Sequence, residues 1–223
     1  MSRHLAPRIL IVRLAALFFL SILSVMGAWG AAISSNGSGG GDWNDIATWN
    51  GGIVPGVTDQ VTILIGDAVA LTIDNTVDTL TITGTLAVGA NTLTAASISG
   101  TGTLTISTGT IDSTGTINVA TITASDAASI FSGGDFSPTA FTASTSTVNL
   151  DGATTPVTAG GFAYNNLTVS KIAAGNIVNL AALASVGGNL TVTLGTLNLG
   201  GNLSVTGNLT GAGIVATSDF NLS

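Results

Sequence analysis

Cysteine and glutamate are both missing from this 223-residue chain, and its basic residues nearly all fall at one end. Arg3, His4, Arg8 and Arg13 lie in the first thirteen positions, and Lys171 is the only basic side chain after them. Without cysteine there is no disulfide framework and no thiolate nucleophile. Without histidine past residue 4, a Ser–His triad and a zinc site of the usual His/Cys kind are excluded from the rest of the chain. A single lysine cannot neutralise a run of phosphates, which excludes nucleic acid and an anionic membrane surface as partners. Charged residues make up 7% of the chain, yet 45% is hydrophobic, so the composition is not that of a disordered protein.

What is present begins with an export signal. Behind the basic residues, 14–26 is an apolar run, and the small residues of "GAWGAA" follow it. The pattern is that of a signal peptide over 1–32, with a cut after Gly30 or after Ala32. An uncleaved anchor is the alternative, since the weakly apolar stretch to Ala32 approaches a membrane-spanning length. Past Ala32 no segment is apolar enough to span, so cleavage leaves no stable membrane span. The remaining residues, 33–223, carry eleven aspartates against one lysine, a net charge of −10. The expected location is secreted or cell-surface.

The body reads as short strands. Val61, Ile63 and Ile65 alternate with polar residues, as do Val69, Leu71 and Ile73, and no window carries a capped helical stripe. Leading apolar positions fall at Leu80, Leu86, Leu93, Ile98, Leu104, Ile111, Ile117 and Ile122, with gaps of 6, 7, 5, 6, 7, 6 and 5. Taken three at a time the gaps total 18 or 19 residues. That period predicts an all-β parallel β-helix: a three-sided β-solenoid of about 18 residues per coil, with about one inward apolar side chain per face. A hairpin-rich sandwich would need longer strands and more Asn-Gly or Asp-Gly turns. The rhythm returns at Leu190, Leu197, Leu203, Leu209, Ile214 and Phe220.

The expected organisation is a signal peptide (1–32), a linker and Trp-containing cap (33–60), solenoid coils (61–130), an irregular Phe/Pro break (131–147) and a second solenoid segment (148–223). In the cap segment, "SSNGSGGG" over 34–41 reads as a flexible linker. In the break, Phe131, Phe136 and Phe141 are expected to plug an irregular coil or cover an apolar face. Beyond it, Asn-Leu-Thr/Ser recurs at Asn166, Asn189, Asn202, Asn208 and Asn221, with leucine expected inward and asparagine at stacked corners. By the 18-residue count the chain stops part-way through a coil, so the expectation is either a longer protein or end-to-end self-association.

The segment "GDWNDIATWNGGIVPGVTDQVTI", together with "TVNLDGATTPVTAGGFAYNNLTVS" and "GGNLTVTLGTLNLGGNLSVTGNLTGAG", resembles bacterial secreted and surface β-strand-repeat proteins. Autotransporter passengers and filamentous-haemagglutinin-like parallel β-helix adhesins share this style. The resemblance implies a non-catalytic adhesin or structural component at the cell surface or outside the cell, with glycans or surface proteins of host or neighbouring cells as partners. It also implies that Trp43, Trp49, Pro55 and Asp59 form a structural cap on the first coil. The other reading of the tryptophans is glycan stacking, with Asp42 or Asp45 as acceptors.

For chemistry, aspartate alone remains. Glycoside hydrolysis needs two carboxylates across a cleft, and a β-helix carbohydrate-active enzyme using Asp is the catalytic alternative. Asp42, Asp45, Asp59, Asp67, Asp74 and Asp78 are scattered at turn positions without paired partners, so the expectation is no enzyme and no cofactor. Weak calcium binding by the same group is the metal reading, although no EF-hand or Gly-Gly-x-Gly-x-Asp pattern is present. At an 18-residue pitch Thr85, Thr103 and Thr121 stack, as do Thr105 and Thr123. These are the candidate ligand face, and the Thr-x-Thr rows also suggest an ice-binding solenoid.

Overall fold

Short strands with period-two alternation cannot bury their apolar side alone, and the observed structure resolves this by winding them into a solenoid. The computed structural model describes residues 30–181, 183–217 and 221–223. The leader therefore lies outside the described residues except for its last three, and so does Phe220. Ala31–Ser223 forms one compact unit. It is nearly all β, with parallel strands stacked into a β-solenoid of about 8 turns and, among the described residues, a single short 3₁₀ turn at Ile46–Thr48.

From the second coil on, the chain visits three faces, A, B and C, in order. On face A, Ala32–Ser34 pairs with Gln60–Ile63, which pairs with 79–82; 97–99 and 117–119 follow. Face B runs from Gly40–Asp42 through Ala68–Ala70 and Thr85–Ala87 to 103–106, 121–124 and Ala140–Thr142. Face C begins at 75–77 and passes through 92–95, Thr110–Ser113, Ser129–Ser132, Thr147–Leu150, Asn166–Ser170 and Leu190–Leu194 to Leu209–Thr210. The apolar columns lie on the axis as the spacing predicts: Leu80, Leu86, Leu93, Ile98, Leu104, Ile111, Ile117 and Ile122 are all at most 1% exposed. Most faces turn two residues inward, where one was expected. On face B these are Leu86 with Val88, Leu104 with Ile106, and Ile122 with Ala124, because a three- or four-residue strand of period two has room for both.

Corners are where coils approach most closely. A side chain on Gly102 would put its Cβ 2.2 Å from the Gly84 carbonyl oxygen, and one on Gly84 would sit 2.2 Å from that of Leu64. Glycine at these positions lets backbone lie on backbone. At other corners asparagines do the joining. The side-chain oxygen of Asn166 accepts from the Asn189 backbone N–H at 2.9 Å, and that of Asn189 accepts from Asn208 at 3.1 Å. Asn202 accepts from Asn221 in the same way.

Two expectations need correction. Residues 34–41 are not a flexible linker: Ser34 pairs with Thr62 and Gly40 with Ala68, so this glycine-rich run is the first corner of the solenoid. Its glycines supply positive φ at Gly37, Gly39, Gly40 and Gly41, and two of its N–H groups are held by the Asp67 carboxylate. Phe131, in turn, is not part of the plug. It sits in a regular strand, Ser129–Ser132, in register with Asp112 and Asn149 on the outer side of face C.

The irregularity itself affects two faces. Face A narrows to Phe136, a single bridge between Ile117 and Ala159, before Val157–Ala159, Ile177–Leu180, Thr196–Leu199 and Ile214–Ala216 continue as a separate four-stranded sheet. On face B, Ala163–Tyr164, Ala184–Val186 and Leu203–Val205 form a separate three-stranded sheet. Face C runs through. Phe136, Phe141, Phe162 and Tyr164 fill the discontinuity, with ring centroids 5.2–6.4 Å apart, and Tyr164 donates to the Gly160 carbonyl at 2.6 Å. Burial holds the Tyr164 phenol well above its ordinary pKa.

Candidate functional site

The two tryptophans of the expected cap meet in the first coil. Trp43 is fully buried, Trp49 is 2% exposed, and their rings meet edge to face with centroids 4.9 Å apart. The Trp49 indole N–H donates to the Trp43 carbonyl at 2.6 Å, and Thr48 donates to the Asp42 carbonyl at 2.7 Å. Buried rings offer no face on which a sugar could stack. Pro55 is buried in the loop that follows. Asp59 closes that loop: one carboxylate oxygen accepts from the Gly56 N–H at 2.8 Å and the other from the Ala31 N–H at 2.7 Å.

The other N-terminal aspartates serve backbone in the same manner. Asp45 accepts from the Ala47 N–H, and Asp74 from the Thr92 N–H in the next coil. Asp42 accepts from the Asn44 N–H and the Thr72 hydroxyl, and these bonds hold its carboxyl below the ordinary value. Asp67 is 2% exposed. Burial raises its pKa, but the Ser35 hydroxyl and the Gly39 and Gly37 N–H groups outweigh this and hold it low. Among the described residues no three acidic side chains gather in a way that could hold a metal ion.

Lys171, the one basic side chain among the described residues, is buried, 2% exposed. Its ammonium donates to the carbonyls of Asp151 and, at 3.4 Å, of Gly133 in an earlier coil. Burial lowers its pKa, and the nearby Asp151 opposes this. Burial also pushes the Asp151 carboxyl up, helped by the like charge of Asp112 and offset by Lys171. Lysine here ties coils across the discontinuity.

The threonine rows fall into register on face B. Thr85, Thr103 and Thr121 are consecutive partners, and Ala87, Thr105, Thr123 and Thr142 form the parallel row two residues on. The side chains between them, Leu86, Leu104 and Ile122, point to the axis, so the threonines face out. A second hydroxyl- and amide-rich row on face C runs through Thr94, Asp112, Phe131, Asn149, Thr168, Thr191 and Thr210. Along it Ser170 donates to the Asn149 side chain, and the Thr191 and Thr210 hydroxyls are 3.2 Å apart.

One concavity was not foreseen. Face C begins one coil later than the other two faces, because the cap loop crosses where its first rung would be. This leaves a recess of about 470 Å³ beside Gly56 and Val57, walled by Asp74, Asn75, Thr76, Thr92 and Thr94. The spacing of apolar residues holds no signal for it, since it depends on the path of the loop.

A family model described as the G8 domain matches residues 48–159, a stretch that includes Trp49 of the first coil and Phe136 and Phe141 of the aromatic cluster. No curated protein and no solved structure matches the chain. Domains of this family are typically found in extracellular proteins, and among the described residues no helix is long and apolar enough to cross a membrane. The match covers half of the chain, which belongs to the G8-domain family.

Proposed function

We propose that the protein is an exported, non-catalytic repeat protein, an adhesin or structural component at the cell surface or outside the cell. In style it is close to the passengers of autotransporters and to filamentous-haemagglutinin-like adhesins. The observation that carries the reading is the double row of outward threonines on face B, held in register by the apolar columns behind it. Such a face offers many weak hydrogen bonds at fixed spacing, and these add by multivalency. Glycans or neighbouring surface proteins are the partners it suits. The recess at Asp74, Asn75 and Thr76 supplies a concave place for a polar ligand such as a sugar. Support for a non-catalytic role comes from the N-terminal carboxylates: Asp42, Asp45, Asp59, Asp67 and Asp74 are all occupied by N–H or O–H donors of the chain itself.

A glycan array probed with the purified body tests this. Thr103→Lys and Thr121→Lys together disrupt the face B rows, while Thr94→Lys obstructs the recess. We expect binding to fall at least about tenfold in one of the two variants, as loss of several weak contacts would give. Equal binding by both would place the ligand elsewhere. The same rows favour ice binding as a second reading, for which thermal hysteresis is the measurement; a zero reading at high protein concentration removes it.

A further inference from the structure

We infer that the chain is processed between Gly30 and Ala31, and that the α-ammonium so created is received by the Asp59 carboxylate. The inference rests on the reading of the chain as exported. In sequence, two cuts fit a peptidase that wants small residues at the last and third-last positions of the leader. One leaves Ala28-Trp29-Gly30 behind, the other Gly30-Ala31-Ala32. The fold separates them.

Ala31 and Ala32 belong to the body. The Ala31 carbonyl accepts from the Gln60 N–H at 2.8 Å, and the Ala31 N–H donates to Asp59 at 2.7 Å. Ala32 is in register with Gln60 and begins the first strand of face A, Ala32–Ser34. A cut after Ala32 would fall inside that strand, remove one of its rungs, and leave the Gln60 N–H and one Asp59 oxygen without their partners. A cut after Gly30 removes none of these contacts.

It also improves one. Hydrolysis breaks the bond between the Gly30 carbonyl carbon and the Ala31 nitrogen. Water supplies hydroxyl to the carbonyl carbon and a proton to the nitrogen, with a signal peptidase as catalyst; the new Gly30 carboxylic acid then gives up its proton through solvent to the amine, leaving a carboxylate on Gly30 and an ammonium on Ala31. The neutral N–H that faced Asp59 becomes an ammonium, and the contact becomes a charge-assisted hydrogen bond. Asp59 is already held in position to receive it, because its other oxygen binds the Gly56 N–H of the cap loop and its carbonyl accepts from the Asp78 N–H of the next coil. Lys171 is the only other basic group after Arg13, and it is buried. The new terminus would therefore be the one cation on the surface of the processed body, set against the carboxylate that joins cap to coil.

The full chain expressed in a bacterium with an active export pathway provides the test, by N-terminal sequencing and intact mass of the exported fraction. The expected product begins Ala31-Ala32-Ile33. A product beginning at Ile33, or at any other residue, overturns the site and leaves export standing. Uncut chain retained in the cytoplasm overturns both. In the processed protein, Asp59→Asn should lower the melting temperature by several degrees at low ionic strength, and added salt should narrow that gap by screening the pair. A gap that salt leaves unchanged overturns the ammonium–carboxylate contact.

Discussion

At the scale of single residues, hydrogen-bond partners separate side chains that composition treats alike. The two cap tryptophans bury similar ring area, yet Trp49 donates to the Trp43 carbonyl while the buried Trp43 indole N–H has no partner. Replacing Trp49 by phenylalanine orphans a carbonyl, whereas the same change at Trp43 removes a donor that bonds nothing. Chemical denaturation should therefore show Trp49→Phe to be more destabilising than Trp43→Phe by about 1 kcal/mol. Asp67 gives a pH-dependent counterpart. Its carboxyl is held below the ordinary value of 3.8, so its contribution is fully present above that pH and is lost as pH falls further. Asp67→Asn should be less stable at neutral pH by about 2 kcal/mol. Melting curves of variant and parent should draw together on acidification below pH 3.8; parallel curves there would remove Asp67 as the acid-sensitive group.

Elements in this fold are rungs, and a rung is only as good as its corners. Gly102 sits where a Cβ would lie 2.2 Å from the Gly84 carbonyl oxygen, so even alanine must push two coils apart. Gly102→Ala should cost about 1–3 kcal/mol, as overpacking does elsewhere, with hydrogen exchange rising first in 84–86 and 103–105, the rungs it separates. An unchanged exchange pattern would mean that the corner yields without strain. The asparagine corners work by bonding where glycine works by vacancy, and the recurring Asn-Leu-Thr/Ser wording made those visible in the sequence. The wording did not reveal which atom bonds which. The ladder runs from side-chain oxygen to the backbone N–H of the next asparagine, a direction set by how the coils stack.

For the whole molecule, charge is nearly one-signed. With eleven aspartates and one lysine after Arg13, attraction between side chains contributes little to stability and mutual repulsion opposes it. Added sodium chloride should raise the melting temperature of the body by screening that repulsion. A fall with salt would reveal ion pairs that matter. Stability instead comes from the axial columns, which are continuous across faces A and B up to the aromatic discontinuity and are carried past it by face C and by the packed rings of Phe136, Phe141, Phe162 and Tyr164.

The repeat was legible because a solenoid coil is local in sequence: each inward position must recur at one coil's length, so the columns through Leu80, Leu86 and Leu93 and the threonine rows could be placed in register from spacing alone. The tryptophans of the first coil were singled out by the resemblance of their segment, and spacing alone carries no sign that they are buried together. Non-local features could not be read this way. Pairing of 32–34 with 60–62 turned an apparent linker into the first coil, and Phe162 and Tyr164, in place of the expected Phe131, joined Phe136 and Phe141 in the plug. The coil after the discontinuity lengthens, with Leu167 opposite Leu190, before 19-residue spacing returns with Leu190 opposite Leu209, and no fixed period predicts where an insertion will loop out. Periodicity in the sequence determined the solenoid and its faces. Loops that cross between coils decided the recess, the corner contacts and the Ala31–Asp59 bond, because those depend on residues that no short repeat relates.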